Sequence, residues 1–310
     1  MKLLVAICTY NRAHLLRETL SCMAQLQRPP DADLRFIVVN NCCTDDTDVV
    51  AASFQTNLPL TVVHEPKPGL SNARNRAIDE AAAWGADYII WTDDDVRPQS
   101  DWLLAYADAC VRHPGVAVLG GLVDPWFETE PPNWISDNWQ QLRFAFAVRD
   151  LGPDAHRLDP DKGLPFGANF AIRVQDQLRH RYDPRLGVVK GRRLGGEETM
   201  VMKAILAQDN FGWWLPQARV RHFIERDRLT VAYITRYFIG AGASASMSQT
   251  DTSARLMGRP RWLFGQALRQ TGLLAWDLLT WRRSNWVVRY TELLFTLGRL
   301  REPTANAAAG

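Results

Sequence analysis

Tyr88-Ile89-Ile90-Trp91-Thr92-Asp93-Asp94-Asp95-Val96 joins a short apolar run to three consecutive carboxylates. A run of this length, bounded by charge, reads as a buried strand that delivers the aspartates at its carboxyl end. Pro98 and the helix start Asp101-Trp102-Leu103 follow. Toward the N-terminus the same alternation repeats: Leu3 to Ile7, a helix from about His14 to Gln27, Phe36 to Val39, a helix from about Asp45 to Phe54, Leu60 to His64, and a helix from about Leu70 to Trp84. Such alternation implies parallel strands joined by crossover helices, an α/β class. In open sheets of this class ligands bind beyond the carboxyl ends of the strands. The aspartates therefore stand where a ligand is expected.

The chain has 310 residues, 46% of them apolar and 23% charged, enough for a full core in one large or two modest domains. The net charge of +2 conceals a basic segment, because Arg255 to Arg301 holds nine arginines against Asp277 and Glu292, a balance of +7. Five cysteines (Cys8, Cys22, Cys42, Cys43, Cys110) form neither an even framework nor a C-x-x-C pair, so a disulfide scaffold and a zinc site are both disfavoured and a reducing cytoplasm fits. The apolar N-terminal run, Leu3 to Ile7, is too short for a signal peptide. No stretch has the roughly 18 apolar residues of a membrane-spanning helix.

Hard divalent cations such as Mg²⁺ or Mn²⁺ take carboxylate oxygens and are commonly shared with substrate phosphates, which suits Asp93 to Asp95; a solvated turn capping the next helix would need only one aspartate. A second cluster, Asn40-Asn41-Cys42-Cys43-Thr44-Asp45-Asp46-Thr47, follows the second strand. Its Asn and Thr residues serve as turn and cap residues, or, beside Thr9-Tyr10-Asn11-Arg12, as a pocket for a base. In a third, Pro68-Gly69-Leu70-Ser71-Asn72-Ala73-Arg74-Asn75-Arg76, a glycine opens a helix whose first turns carry arginines, a setting that attracts phosphate.

These stretches resemble the inverting family 2 glycosyltransferases of the GT-A fold, of the type that builds bacterial polysaccharides. The resemblance starts at Val5-Ala6-Ile7-Cys8-Thr9-Tyr10-Asn11-Arg12 and continues through Gly167-Ala168-Asn169-Phe170-Ala171-Ile172-Arg173 and Gly195-Gly196-Glu197-Glu198-Thr199 to Val220-Arg221-His222. It implies a Rossmann-like, mostly parallel sheet flanked by helices, with a helical C-terminal extension. It further implies a catalytic domain over 1–225, split into a nucleotide-binding half (1–120) and an acceptor half (121–225), then a helical region (226–302) and a disordered tail (303–310).

By the same resemblance, Thr9, Tyr10, Asn11, Arg12 and Asn40 border the base of a nucleotide-sugar donor, with Arg74 near the nucleotide. Asp93 and Asp95 form the Asp-x-Asp pair for ribose and a divalent metal (Mn²⁺ or Mg²⁺), with Asp94 as an alternative. His222 completes the metal shell in this reading, or is simply structural. Glu198 is the expected general base and Glu197 its understudy, although both acids also suit a helix start. Gly167 and Asn169 are expected beneath the transferred sugar, the asparagine offering hydrogen bonds. One departure stands out: the family commonly has aspartate where Asn40 stands, accepting a hydrogen bond from the uracil N3–H. An asparagine carbonyl accepts the same bond without the charge, so a UDP-sugar or another base fits.

The basic C-terminal segment interleaves Trp262, Trp276, Trp281 and Trp286 with Arg261, Arg269, Arg282, Arg283 and Arg289. It suits peripheral contact with the inner membrane face and a lipid-linked or glycan acceptor, or equally a set of tryptophans packed inward. No nucleic-acid-binding motif accompanies it. Two competing functions carry their own signatures. A nucleotidyltransferase needs a glycine-rich basic loop after the first strand, and Cys8 to Arg12 is not one. A non-catalytic sugar- or nucleotide-binding scaffold is suggested by Asn40 and Glu198 standing where the family shows aspartates.

Overall fold

The structure, a computed structural model, describes residues 1–189, 192–194, 196–248, 251–280 and 285–301. The expected disordered tail from Pro303 to Gly310, Gly195, and the Trp281-Arg282-Arg283 stretch lie outside the described residues. The chain forms two compact units, one of residues 1–126, 147–189 and 196–223, the other of 127–146, 192–194 and the residues from 224 onward.

The first unit is built on strands β1 (Lys2–Thr9), β2 (Asp33–Asn40), β3 (Leu60–His64), β4 (Tyr88–Thr92), β5 (Val96–Pro98), β6 (Val118–Phe127), β7 (His156–Arg157), β8 (Asn169–Arg173), β9 (Gly187–Val189) and β11 (Gly212–Ile224); β10 (Arg192–Leu194) belongs to the second unit. The sheet order is β3-β2-β1-β4-β8-β6-β11-β5, with β7 pairing β11. Strands β1 to β4 are mutually parallel, and β8 runs antiparallel to β4, with Thr92 opposite Asn169. The carboxyl ends of β1, β2 and β4 thus share an edge with the amino end of β8. β11 returns antiparallel to β5 and sets His222 opposite Val96. Strands β8 and β11 thus bring Asn169 and His222 back to the segment that carries the acidic run.

Strands buried on both faces read as continuous apolar runs, and the two faces separate by alternate residues. Leu3, Val5, Ile7, Phe36, Val38 and Ile90 pack against α1 (Ala13–Met23), α2 (Thr47–Ser53) and, beyond it in the chain, α4 (Trp102–Arg112). Leu4, Ala6, Ile37, Val39, Ile89 and Trp91 pack against α3 (Leu70–Trp84), α7 (Val174–Arg179) and α8 (Glu197–Leu206). Helix α3 presents Ala73, Ala77 and Ala81 at four-residue spacing, a narrow apolar stripe that lets the helix lie close on the sheet. The mixed α/β sheet with helices on both faces matches the expected class, and the helix expected over Leu70 to Trp84 forms with those bounds.

The second unit gathers α5 (Asn133–Ser136), α6 (Trp139–Leu142), α9 (Val231–Ser248), α10 (Arg261–Leu279) and α11 (Trp286–Arg301). Phe146 stacks between Trp139 and Tyr233, and Trp134 lies 6.0 Å from Trp286. Residues 127–146 thus supply an aromatic layer to the C-terminal helices, a grouping that no local pattern announces. No helix among the described residues is long and apolar enough to cross a membrane.

Asn169 is the polar keystone of the first unit. Its side chain is 0% exposed; its Oδ1 accepts from Trp102 Nε1 and Tyr106 OH at 2.8 Å each, and its Nδ2 donates to Leu122 O (2.9 Å) and Ala218 O (2.7 Å). The expectation that Asn169 offers hydrogen bonds to a sugar is corrected: all four of its bonding directions are consumed within the core. Replacing it orphans four buried groups, so Asn169→Leu is expected to lower stability by about 3 kcal/mol, read from urea unfolding. A loss under about 1 kcal/mol would show that those groups find other partners.

Candidate active site

The acidic run leaves β4 beyond Thr92, whose Oγ1 donates to Ala168 O at 3.0 Å and so ties the strand end to the turn before β8. Asp94 and Asp95 are buried and Asp93 half-buried. The side chains divide the work. Asp94 turns into the protein, accepting from Thr9 Oγ1 at 2.7 Å and Arg12 Nη1 at 2.8 Å. Arg12 Nη1 also reaches Asp95 Oδ2 at 2.9 Å. Asp93, Asp95 and His222 bring one ligand-type atom each to within 4.8 Å of one another, the one such group among the described residues. His222 Nε2 lies 3.3 Å from Asp95 Oδ1, while its buried Nδ1 finds no hydrogen-bond partner among the described residues.

The electrostatics follow from this crowding. Burial raises the Asp93 carboxyl above the ordinary carboxylate value, and Asp95 adds to the rise, against Arg74, His222 and Arg12. Burial likewise pushes Asp94 up to about 6, opposed by Arg12 and Thr9. Carboxylates held together at such cost accept a cation readily. Two carboxylates and an imidazole with an unpartnered buried nitrogen fit a divalent metal.

Arg74 enters from the second turn of α3. It is buried, donates from Nη1 to Glu197 Oε1 at 2.8 Å, and lies 3.9 Å from Glu198 Oε2. Aromatic rings surround it: Tyr182 at 5.2 Å, Phe170 at 5.9 Å and Trp91 at 6.0 Å from its guanidinium carbon. Burial works against its charge, but Glu197 above all holds it protonated, with Tyr182, Glu198 and Asp93 adding to the effect. Burial, then Glu198, push the Glu197 carboxyl upward, and Arg74 pulls it back. Of the pair opening α8, Glu197 is thus spent on Arg74. Glu198 keeps 15% of its side chain exposed against 5% for Glu197.

Gly167 completes this corner. A Cβ there would lie 2.6 Å from Arg74 Nη2 and 3.7 Å from Glu198 Oε1, so only glycine leaves the guanidinium in place. The structure therefore joins Asp93, Asp95 and His222 in one cluster and Arg74, Gly167, Glu197 and Glu198 in another, with Arg74 within electrostatic reach of Asp93.

Several residues expected to face a donor are engaged in building the edge instead. The Thr9 hydroxyl and the Arg12 guanidinium are directed to aspartates, and Asp94 faces them rather than the cluster. Asn40 Oδ1 accepts from the Cys43 N–H at 2.8 Å, and its Nδ2 donates to Asp48 Oδ1 at 2.8 Å. The loop amide thus holds the Asn40 side chain in place and occupies one of the two acceptor directions of its carbonyl. Asn11, at φ 51°, accepts from the Thr44 N–H at 2.7 Å and joins the two loops. Tyr10 remains exposed. Three participants were missed by sequence reasoning: Asp48, His64, whose Nε2 lies 2.9 Å from Asp48 Oδ2, and Tyr182 against Arg74. None lies in a motif; only the sheet brings them near.

Comparison with known proteins identifies the family and the fold. Residues 4–163 match the family described as Glycosyl transferase family 2. The succinoglycan biosynthesis protein ExoM of Rhizobium meliloti (strain 1021) is 29% identical over 274 residues, 87% of this chain and 82% of that protein. Among solved structures, the mannosyltransferase PcManGT from Pyrobaculum calidifontis, in complex with GDP-Man and Mn²⁺, superposes with a TM-score of 0.62 at 17% identity, covering 96% of this chain and 86% of that one. S. aureus TarS 1-349 in complex with UDP gives 0.56 at 16% identity, covering 96% and 89%. At such identities these structures support the fold.

The Arg74–Glu197 pair is open to a direct test. Arg74→Ala leaves Glu197 buried without its counter-charge and is expected to cost about 3 kcal/mol in denaturant unfolding, with part of the loss recovered in the Arg74→Ala/Glu197→Gln double variant. Additive losses would contradict the pairing.

Proposed function

The chain belongs to glycosyl transferase family 2, and from that premise we propose that it moves a sugar, with inversion, from a UDP-sugar to a hydroxyl of a glycan or lipid-linked acceptor at the inner membrane face. The observation that carries this reading is the pairing of the Asp93–Asp95–His222 cluster with an accessible acid, Glu198, across the corner held by Arg74 and Gly167. A cation site alone would serve any phosphate-handling enzyme. The acid beside it supplies what transfer needs in addition.

In the proposed reaction Glu198 takes the proton of the acceptor hydroxyl as that oxygen attacks the anomeric carbon. The bond from that carbon to the donor's diphosphate breaks on the opposite side, and the nucleoside diphosphate leaves with the electron pair. Asp93, Asp95 and His222 would hold a divalent ion, Mn²⁺ or Mg²⁺, whose charge offsets that of the departing diphosphate. Glu197, tied to Arg74, positions rather than reacts, and Gly167 keeps the floor beneath Glu198 low. Tyr10 is free to flank the base, whereas Thr9, Arg12 and Asn40 act through the loops they fix.

Two substitutions separate binding from chemistry. Asp95→Ala is expected to abolish Mn²⁺-dependent donor binding in calorimetry. Glu198→Gln should hold donor affinity within about twofold and lower kcat by at least ~100-fold. Near-normal turnover by Glu198→Gln would remove that residue from the role of base. The uridine assignment is tested separately by a thermal-shift screen of UDP- and GDP-sugars with Mn²⁺: stabilisation by GDP-sugars alone would overturn it.

A further inference from the structure

Helix α10 (Arg261–Leu279) has two apolar sides but only one is covered. Leu263 and Gln270, seven residues apart, are buried and mark the inward face. Half a turn round lie Gly265, Leu268, Gly272, Ala275, Trp276 and Leu279, at helical spacing and without a charged residue among them. Leu268 is 77% exposed, Trp276 61% and Leu279 78%. A surface helix ordinarily turns polar residues to water on this side. Here the pattern is reversed along a helix of roughly 28 Å. The turn just before it, between β12 (Arg255–Leu256) and β13 (Arg259–Pro260), adds Met257, 86% exposed.

The charges bordering this face choose its occupant. Among the described residues from 251 to 280 the exposed charged side chains are Arg255, Arg261 and Arg269; the half-buried Asp251 accepts from Trp262 Nε1 at 2.9 Å and is the acid nearest the start of the helix in sequence. Asp277 is mostly buried, 3.6 Å from Arg289. A second copy of the chain docked face to face would set these arginines against each other. An anionic lipid surface meets both features, the apolar side chains entering the acyl boundary and the arginines reaching headgroup phosphates. Tryptophan suits that boundary because its ring is apolar and its N–H stays hydrated.

We propose that the outward face of α10 is a docking surface for an anionic bilayer, on which the helix lies parallel to the membrane plane. This deepens the reading of a lipid-linked acceptor, since it would hold the enzyme on the surface where such an acceptor resides. It needs no turnover to be tested, so vesicle binding and sugar transfer are free to fail separately.

The experiment is flotation of the full chain with vesicles of phosphatidylcholine alone and of phosphatidylcholine with phosphatidylglycerol, at low and high salt. Because the substituted side chains are exposed, Leu268→Glu/Trp276→Glu should unfold at the wild-type temperature and keep donor hydrolysis unchanged. Wild type is expected to float with the anionic vesicles and less so at high salt, and the double variant to lose at least about tenfold of the bound fraction. The inference is overturned if wild type ignores both vesicles, if the variant floats as wild type does, or if wild type elutes as a dimer that the variant dissociates. A variant that does not fold would be replaced by Leu268→Gln/Leu279→Gln, read the same way.

Discussion

Three carboxylates in succession at the end of a buried strand set the terms for the residues around them. Side by side in a partly dry environment, Asp93, Asp94 and Asp95 repel one another, and burial raises the cost further. The protein answers with fixed cations and donors: Arg12 bridges Asp94 and Asp95, and Thr9 donates to Asp94. Asp93 and Asp95 are at the same time turned toward His222, two carboxylates beside one imidazole. A divalent ion there would complete the balance and at the same time gives the edge its use.

The same economy of charge governs the second corner. Arg74 is too deeply buried to stand alone, and Glu197 is its counter-ion at 2.8 Å. The pairing separates two adjacent acids that the sequence presents as equals. One becomes part of the frame, and the other, Glu198, stays accessible beside Gly167. A membrane-facing α10 would give the C-terminal unit a separate task, bringing this chemistry to a surface without taking part in it.

Much of the fold was legible in the sequence because it rests on local pattern: apolar runs of strand length, a helix over Leu70 to Trp84 with alanines at four-residue spacing, and an acidic run at a strand end. The clustering of Asp93, Asp95 and His222 was legible only through family resemblance, since 128 residues separate the first from the last of them. Asn169 differs from its expected role for a physical reason. A sequence records that an amide is present but not which way it points, and the Asn169 amide points into the core. The Asn40–Asp48–His64 chain joins the ends of β2 and β3 through α2, and the aromatic layer over 127–146 joins C-terminal helices nearly a hundred residues on. Neither has a local signature, because each depends on packing that only the assembled units provide.

The central claim is that Asp93, Asp95 and His222 form one divalent-metal site facing a nucleoside diphosphate. Anomalous diffraction from crystals grown with Mn²⁺ and UDP tests it most directly. A single strong peak is expected within ligand distance of all three side chains and of the diphosphate oxygens. Bound UDP with a peak elsewhere, or with none at these three residues, would contradict it.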